Sequence, residues 1–286
     1  MTSDPAQFGS DWLALREPAD HAARSARLTS QLDGWLGGQG GVVIVDLGAG
    51  SGSNLRYLAP RLRPRQRWRL VDHDPVLLER ARATRGLASA DGETVQVQTQ
   101  LTDLADRPLA DLGPADLVTA TALFDLVSAD WIKALADHLA ATRAAGLFSL
   151  TVDGRRWFSD PEGQRLDDEL DREMETLFNA HQRRAKGLGQ ALGPDAAQRL
   201  PELLEAAGLQ VWSERADWQL AAGTARTRRL GASLLDDWAS AAIEQTDGSP
   251  DRIRSWQRER QQALERGDLG LGVGHIDVLA LPPRRD

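Results

Sequence analysis

The chain has 286 residues, 41% of them hydrophobic and 27% charged, with a net charge of −8. That length supports a full hydrophobic core in one large domain, and the composition excludes a disordered or fibrous chain. The acidic balance argues against nonspecific nucleic-acid binding, and the absence of cysteine excludes disulfides, thiolate nucleophiles and Cys-ligated metal.

The N-terminal MTSDPAQFGSDW lacks the basic-then-apolar order of a signal peptide. No apolar run approaches the ~20 residues of a membrane helix. A cytoplasmic protein without membrane contact is expected. Residues 11–36 read as a helix, with Trp12, Leu15, Ala19, Ala22, Ala23, Ala26 and Trp35 at roughly helical spacing. GGQGG then hands over to a buried strand, VVIVD, and SNLRYLAPRL starts a helix capped by Ser51 or Ser53. Strands follow at 68–72, 94–98, 116–120 and 146–152, with helices at 75–85 and 128–142 between them. This alternation implies a parallel sheet covered on both faces. Residues 164–186 and 195–207 read as helices, 209–220 as containing a strand, 225–244 and 250–266 as two polar helices, and 275–281 as a closing strand. The expected division is one domain: helical cover 11–36, ligand-binding core 42–152, lid and acceptor segment 153–194, and sheet completion 195–286 with a helical insertion near 222–268.

The first strand runs into DLGAGSG, at residues 46–52. The first strand–helix turn of such a sheet faces its ligand, and glycine lets the backbone approach closely. A phosphate loop fits poorly, because no lysine follows and the first basic residue is Arg56. A dinucleotide fingerprint fits poorly too, because its third glycine would stand where Ser53 is. An acid, Asp46, directly precedes the loop and suits a cationic ligand better than a pyrophosphate.

Acid-x-Gly-x-Gly-x-Gly, matched by Asp46, Gly48, Gly50 and Gly52, resembles the first motif of the class I S-adenosylmethionine-dependent methyltransferases. Asp72 ends the second strand, and Asp103 follows the third, as in that family. The resemblance implies a doubly wound α/β fold with a mostly parallel seven-stranded sheet. Helical N-terminal and C-terminal-half additions would cover its active site. It also implies S-adenosyl-L-methionine as cofactor and S-adenosyl-L-homocysteine as product. Asp46 would organise the loop and the methionine end, with Ala49 and Asn54 as further contacts. Asp72 lies close to the ~20 residues past Gly48 expected of an acid accepting from ribose hydroxyls. His73 would lie beside the adenosine. Asp103 would accept from the adenine amine, Leu104 would offer its amide, and Thr121 would line the methionine side.

The acceptor must meet residues near the ends of strands four and five. Phe124 and Asp125 follow the fourth strand, and Asp125 suits holding or deprotonating an acceptor. In VDGRRWFSD, the residues Asp153, Arg155 and Trp157 suit a planar or anionic substrate, whereas Arg156 reads as one surface arginine of an Arg-rich chain. In NAHQRRAKGLG, His181 reads as a base or orienting group, with Arg184 and Lys186 facing an anion. Trp12 and Arg16 belong to the helix expected to close the pocket. RLRPRQRWR reads as a solvated loop away from the ligand, His275 as structural, and no histidines cluster as a metal site. The function expected is methyl transfer to an oxygen or nitrogen of a small molecule. Two alternatives stay open: an RNA or protein methyltransferase, and a non-catalytic binder of the cofactor.

Overall fold

The computed structural model describes residues 9–84, 86–105, 109–184 and 190–283. Two helices open it, α1 (Ser10–Ala23) and α2 (Ala26–Leu36), rather than the single helix expected over 11–36. The break falls at Arg24–Ser25, where Ser25 leaves helical geometry and its side chain accepts from the Leu28 amide. Pro18 is accommodated inside α1. Leu28, Leu32 and Leu36 form the buried stripe of α2, each stabilising the fold by about 1.5–3 kcal/mol.

Strand–helix alternation follows: β1 (Val42–Leu47), α3 (Ser53–Leu58), β2 (Gln66–Asp72), α4 (Pro75–Arg82), β3 (Gln96–Leu101), β4 (Leu117–Thr121), α5 (Ala129–Thr142) and β5 (Ala145–Ser159). Asp74 and Ser128 cap α4 and α5 with their side chains. The C-terminal half adds α6 (Glu169–Gln182), α7 (Ala196–Ala206), β6 (Gln210–Arg215), β7 (Trp218–Leu220), α8 (Ala225–Gln245), α9 (Pro250–Arg266) and β8 (Gly270–Leu281).

The strand order is β3-β2-β1-β4-β5-β8-β6, with β7 paired to β8 off this path. The first five strands are parallel, and β8 runs antiparallel to β5, β6 and β7. The path holds the seven strands expected, and β7 adds an eighth off it among the described residues, because the strand expected in 209–220 divides at Ala216–Asp217 into β6 and β7. One apolar core lies between the sheet and α5 and α7, and a second between the sheet and α2, α3 and α4.

The segment expected as a lid from residue 153 begins instead as the second half of β5. That half pairs with the first half of β8, from Arg156↔Val273 to Ser159↔Gly270. A third core packs on this extension, formed by α1, α6, α8 and α9. Two bulges interrupt the β5–β8 ladder, between Phe148 and Thr151 and between Val152 and Arg156. The second contains Gly154 at φ 85°, where an added Cβ would lie 2.7 Å from Pro194. Only glycine suits that bend, and the bulge re-aims the side chains that follow it.

RLRPRQRWR is held locally as a surface connection. Arg61 lies over Tyr57, Arg63 pairs with Asp33 and Arg65 with Glu93, while Trp68 is buried in β2. No helix among the described residues is long and apolar enough to cross a membrane.

Candidate active site

The glycine loop leaves β1 through three left-handed residues, Gly48, Gly50 and Gly52, at φ 61°, 51° and 82°. A side chain at any of them would be strained. The loop is tied to the end of β2. The Asp72 carboxylate accepts from the Gly50 amide at 2.7 Å and from the Asp74 amide at 2.9 Å. Each oxygen keeps a lone pair for a further donor. His73 Nδ1 stands 3.5 Å from Asp72, and Asp103 is exposed and turns its carboxylate to the Ala105 amide. Leu104 is buried, and its carbonyl accepts from Trp131.

Asp46 lies beneath the loop, 1% exposed. Asn54 donates to its Oδ1 at 2.8 Å and to Thr119 Oγ1 at 3.1 Å. Arg24 donates to Asn54 Oδ1 at 2.9 Å and lies 3.5 Å from Asp277. Asp277 in turn accepts from the Ser25 and Leu150 amides. One buried polar chain thus links the end of β1, the helix break and β8. Burial raises Asp46 to about 7, because the hydrogen bond from Asn54 and the charge of Arg24 offset only part of the desolvation.

The ligand inferred from the sequence fits this cradle on two observations. Asp46 Oδ2 and Thr121 Oγ1 are buried without a hydrogen-bond partner among the described residues, at the places expected to face the methionine end. The three left-handed glycines also carry no Cβ to hold a ligand off the main chain. Ala49 is buried in the same turn.

Helix α1 closes over the loop. Leu13 would lie 3.5 Å from a Cβ at Gly50, Arg56 pairs with Glu17, and His21 Nε2 lies 3.1 Å from Ser53 O. On its other side α1 lines a cavity of about 530 Å³ with Trp12 and Arg16. Ala122 and Asp125 after β4, Val152 and Arg156 of β5, and His275 of β8 supply further wall. Phe178 and Gln182 of α6 and Ser233, Asp237 and Trp238 of α8 roof it. Its volume is that of a small-molecule pocket. Ala122 holds φ 52°, an uncommon backbone for alanine, at the mouth beside β4.

Trp12, Arg16 and Asp125 line this cavity, whereas His181, Arg184, Phe124, Asp153, Arg155 and Trp157 are not among its lining residues. His181 turns away to Glu244 Oε2 at 3.1 Å, on the seam between α6 and α8, and does not line the cavity. Arg184 binds the same Glu244 at 3.0 Å. Phe124 is fully buried, edge-on to Phe148 and Trp131 in the core. Arg155 is held by Asp153 and Asp217. Trp157 crosses Gly272, with the Arg165 guanidinium 3.8 Å from its ring centroid. Lys186 lies outside the described residues.

Two cavity residues escaped the sequence reading. Arg156 is no surface arginine. Its Nη1 donates to Asn179 Oδ1 and Gly154 O, its guanidinium lies 3.9 Å from the Phe178 ring centroid, and burial pushes its pKa down to about 10. The signal was Asp153–Gly154 inside an apolar strand, which marks a bulge. His275 is 2% exposed and lines the same space. Its Nδ1 lies 3.0 Å from Val273 O, which makes Nδ1 the donor and leaves Nε2 as the acceptor. Burial, then the charge of Arg16, holds its pKa near 3, so the ring stays neutral.

Residues 44–146 match the family described as Methyltransferase domain. A search of curated proteins finds no match. A cyclopropane-fatty-acyl-phospholipid synthase-like protein from Lactobacillus casei is 14% identical, with 98% of this chain and 96% of that one covered, at a TM-score of 0.50. The cyclopropane synthase MmaA2 from Mycobacterium tuberculosis is 14% identical over 96% and 94%, at 0.47. A SAM-dependent methyltransferase from Thiobacillus denitrificans, in complex with S-adenosyl-L-homocysteine, is 18% identical over 96% and 100%, at 0.43. At these identities the likeness is one of fold.

Proposed function

We propose, from the match of residues 44–146 to a methyltransferase domain, that the chain uses S-adenosylmethionine to methylate an oxygen or nitrogen of a small molecule held in the cavity beneath α1. The observation that carries the reading is the position of α1. One side of the helix meets the glycine loop through Leu13, and the other lines the cavity through Trp12 and Arg16. Donor and acceptor compartments therefore share a wall.

Asp46, Asn54, Asp72 and the amides of the glycine loop hold the cofactor, with Thr121 toward its methionine end and Asp103, Leu104 and His73 toward adenosine. Bound there, the cofactor supplies an electrophilic methyl group on a positively charged sulfur, open to in-line displacement. The protein's part is to hold the acceptor, exclude water and receive its proton. Asp125, directly after β4, is the cavity carboxylate assigned to accept it. The aromatic walls Trp12, Phe178, Trp218 and Trp238 keep the site dry. A 530 Å³ pocket roofed by helices suits a small molecule better than a nucleic acid or a protein surface. The cysteine-free chain fits a cytoplasmic setting.

The test is methyl transfer itself. Purified protein is incubated with methyl-labelled cofactor and a library of hydroxy and amino compounds, and products are read by mass spectrometry. The proposal expects at least one labelled small-molecule product, reduced at least about 100-fold by Asp125→Asn. Label found only in RNA or protein fractions would overturn the acceptor class.

A further inference from the structure

Arg156 enters the cavity from the β5 bulge carrying a charge that its neighbours leave unpaired. Arg16 on the same cavity wall and the adjacent Arg155 each pair with a carboxylate, at Asp20 and Asp217. Arg156 has no such pair among the described residues, and its Nε is sealed from solvent without a hydrogen-bond partner. Glu175, Asp125 and Asp153 act on it only through longer-range attraction. Glu175 spends its hydrogen bond on the Arg156 amide, at 2.6 Å. A buried guanidinium left in this condition is costly unless a ligand brings the counter-charge.

The surroundings define what that ligand looks like. Phe178 stacks under the guanidinium, and the Trp238 ring centroid lies 5.5 Å from it. Trp12 and Trp218 form further flat wall, so a ring fits better than a chain. Asp125 sits after β4, beside Ala122, and neutral His275 offers an acceptor nitrogen. Asp237 is a second carboxylate on the cavity wall, its pKa raised by burial and then by the neighbouring Asp236.

We propose that the methyl acceptor is an aromatic carboxylate with a ring hydroxyl or amine, its carboxylate anchored by Arg156 and its nucleophile turned toward Asp125. This rests on the methyltransferase reading of the same cavity. A charge-assisted contact of this kind discriminates against the neutral analogue.

The test uses protein saturated with S-adenosyl-L-homocysteine and follows quenching of tryptophan fluorescence by salicylate, neutral salicylamide and cationic tyramine. Salicylate is expected to bind about ten-fold or more tightly than salicylamide. Arg156→Gln should abolish that preference, and Arg156→Lys, which keeps the charge, should retain part of it. Unchanged homocysteine-cofactor affinity shows that each variant is folded. Equal binding of salicylate and salicylamide, tighter binding of tyramine, or no binding of any probe by the parent protein would each overturn the proposal. Failure of the cofactor product itself to bind would instead strike the methyltransferase reading.

Discussion

Replacing Asp46 by asparagine tests the burial of the motif acid through its proton. Native Asp46 keeps its proton to about pH 7, against 3.8 for an exposed aspartate. Between these values the native state holds one more proton than the unfolded chain. Its contribution to stability is therefore complete below about pH 4 and is lost as pH rises through 7. The slope is about 1.4 kcal/mol per pH unit where the difference is complete, so the loss from pH 5 to 7 comes to about 2 kcal/mol. The asparagine side chain would keep the shape of the neutral acid and cannot ionise. Urea unfolding of parent and Asp46→Asn protein from pH 5 to 8 isolates the effect, because every other titrating group is common to both. The variant should gain about 2 kcal/mol on the parent across that range. Parallel stability curves would refute the argument. The same ionisation should favour a cationic donor, so cofactor affinity of the parent should rise with pH through 7 and that rise should vanish in the variant.

Other perturbations probe the frame around this acid. Asp72→Ala should weaken cofactor binding by calorimetry by about ten-fold or more, since it removes an acceptor and loosens the Gly50 amide; unchanged affinity would contradict the ribose assignment. Arg24→Met leaves Asp277 and Asn54 Oδ1 without their cation and should cost about 3–5 kcal/mol in denaturant unfolding. A loss below about 1 kcal/mol would show that the buried chain does not hold α1 and α2 in place. His181→Ala removes a half-exposed pair with Glu244 and should change stability by less than about 1 kcal/mol, with turnover intact. Abolished turnover would return His181 to the mechanism.

Much of the cofactor half was legible because its signals are local. VVIVD followed by three spaced glycines fixes a strand, a turn and the ligand's edge within a short stretch, and Asp72 falls at the next strand end. The helices expected at 225–244 and 250–266 lie at Ala225–Gln245 and Pro250–Arg266, where Thr224 and Ser249 cap them. The acceptor half was not, because its geometry comes from non-local pairing. The second half of β5 is a strand only through its ladder to β8, and Arg156 faces inward only through the Gly154 bulge. His275 looks like an ordinary strand residue until α1 and β7 pack beside it. His181 sat on a promising polar run, but Glu244, far away in sequence, claims it. The break between α1 and α2 was concealed by alanines that continue the helical pattern, although Ser25 carried the cap.

Cofactor binding rests on the cradle formed by Asp46, the glycine loop and Asp72. Isothermal titration with S-adenosyl-L-homocysteine measures it without any knowledge of the acceptor. Saturable binding at one site, weakened by Asp72→Ala, is the predicted result. No heat with this ligand or with the methyl donor, together with uptake of a pyridine dinucleotide, would contradict it.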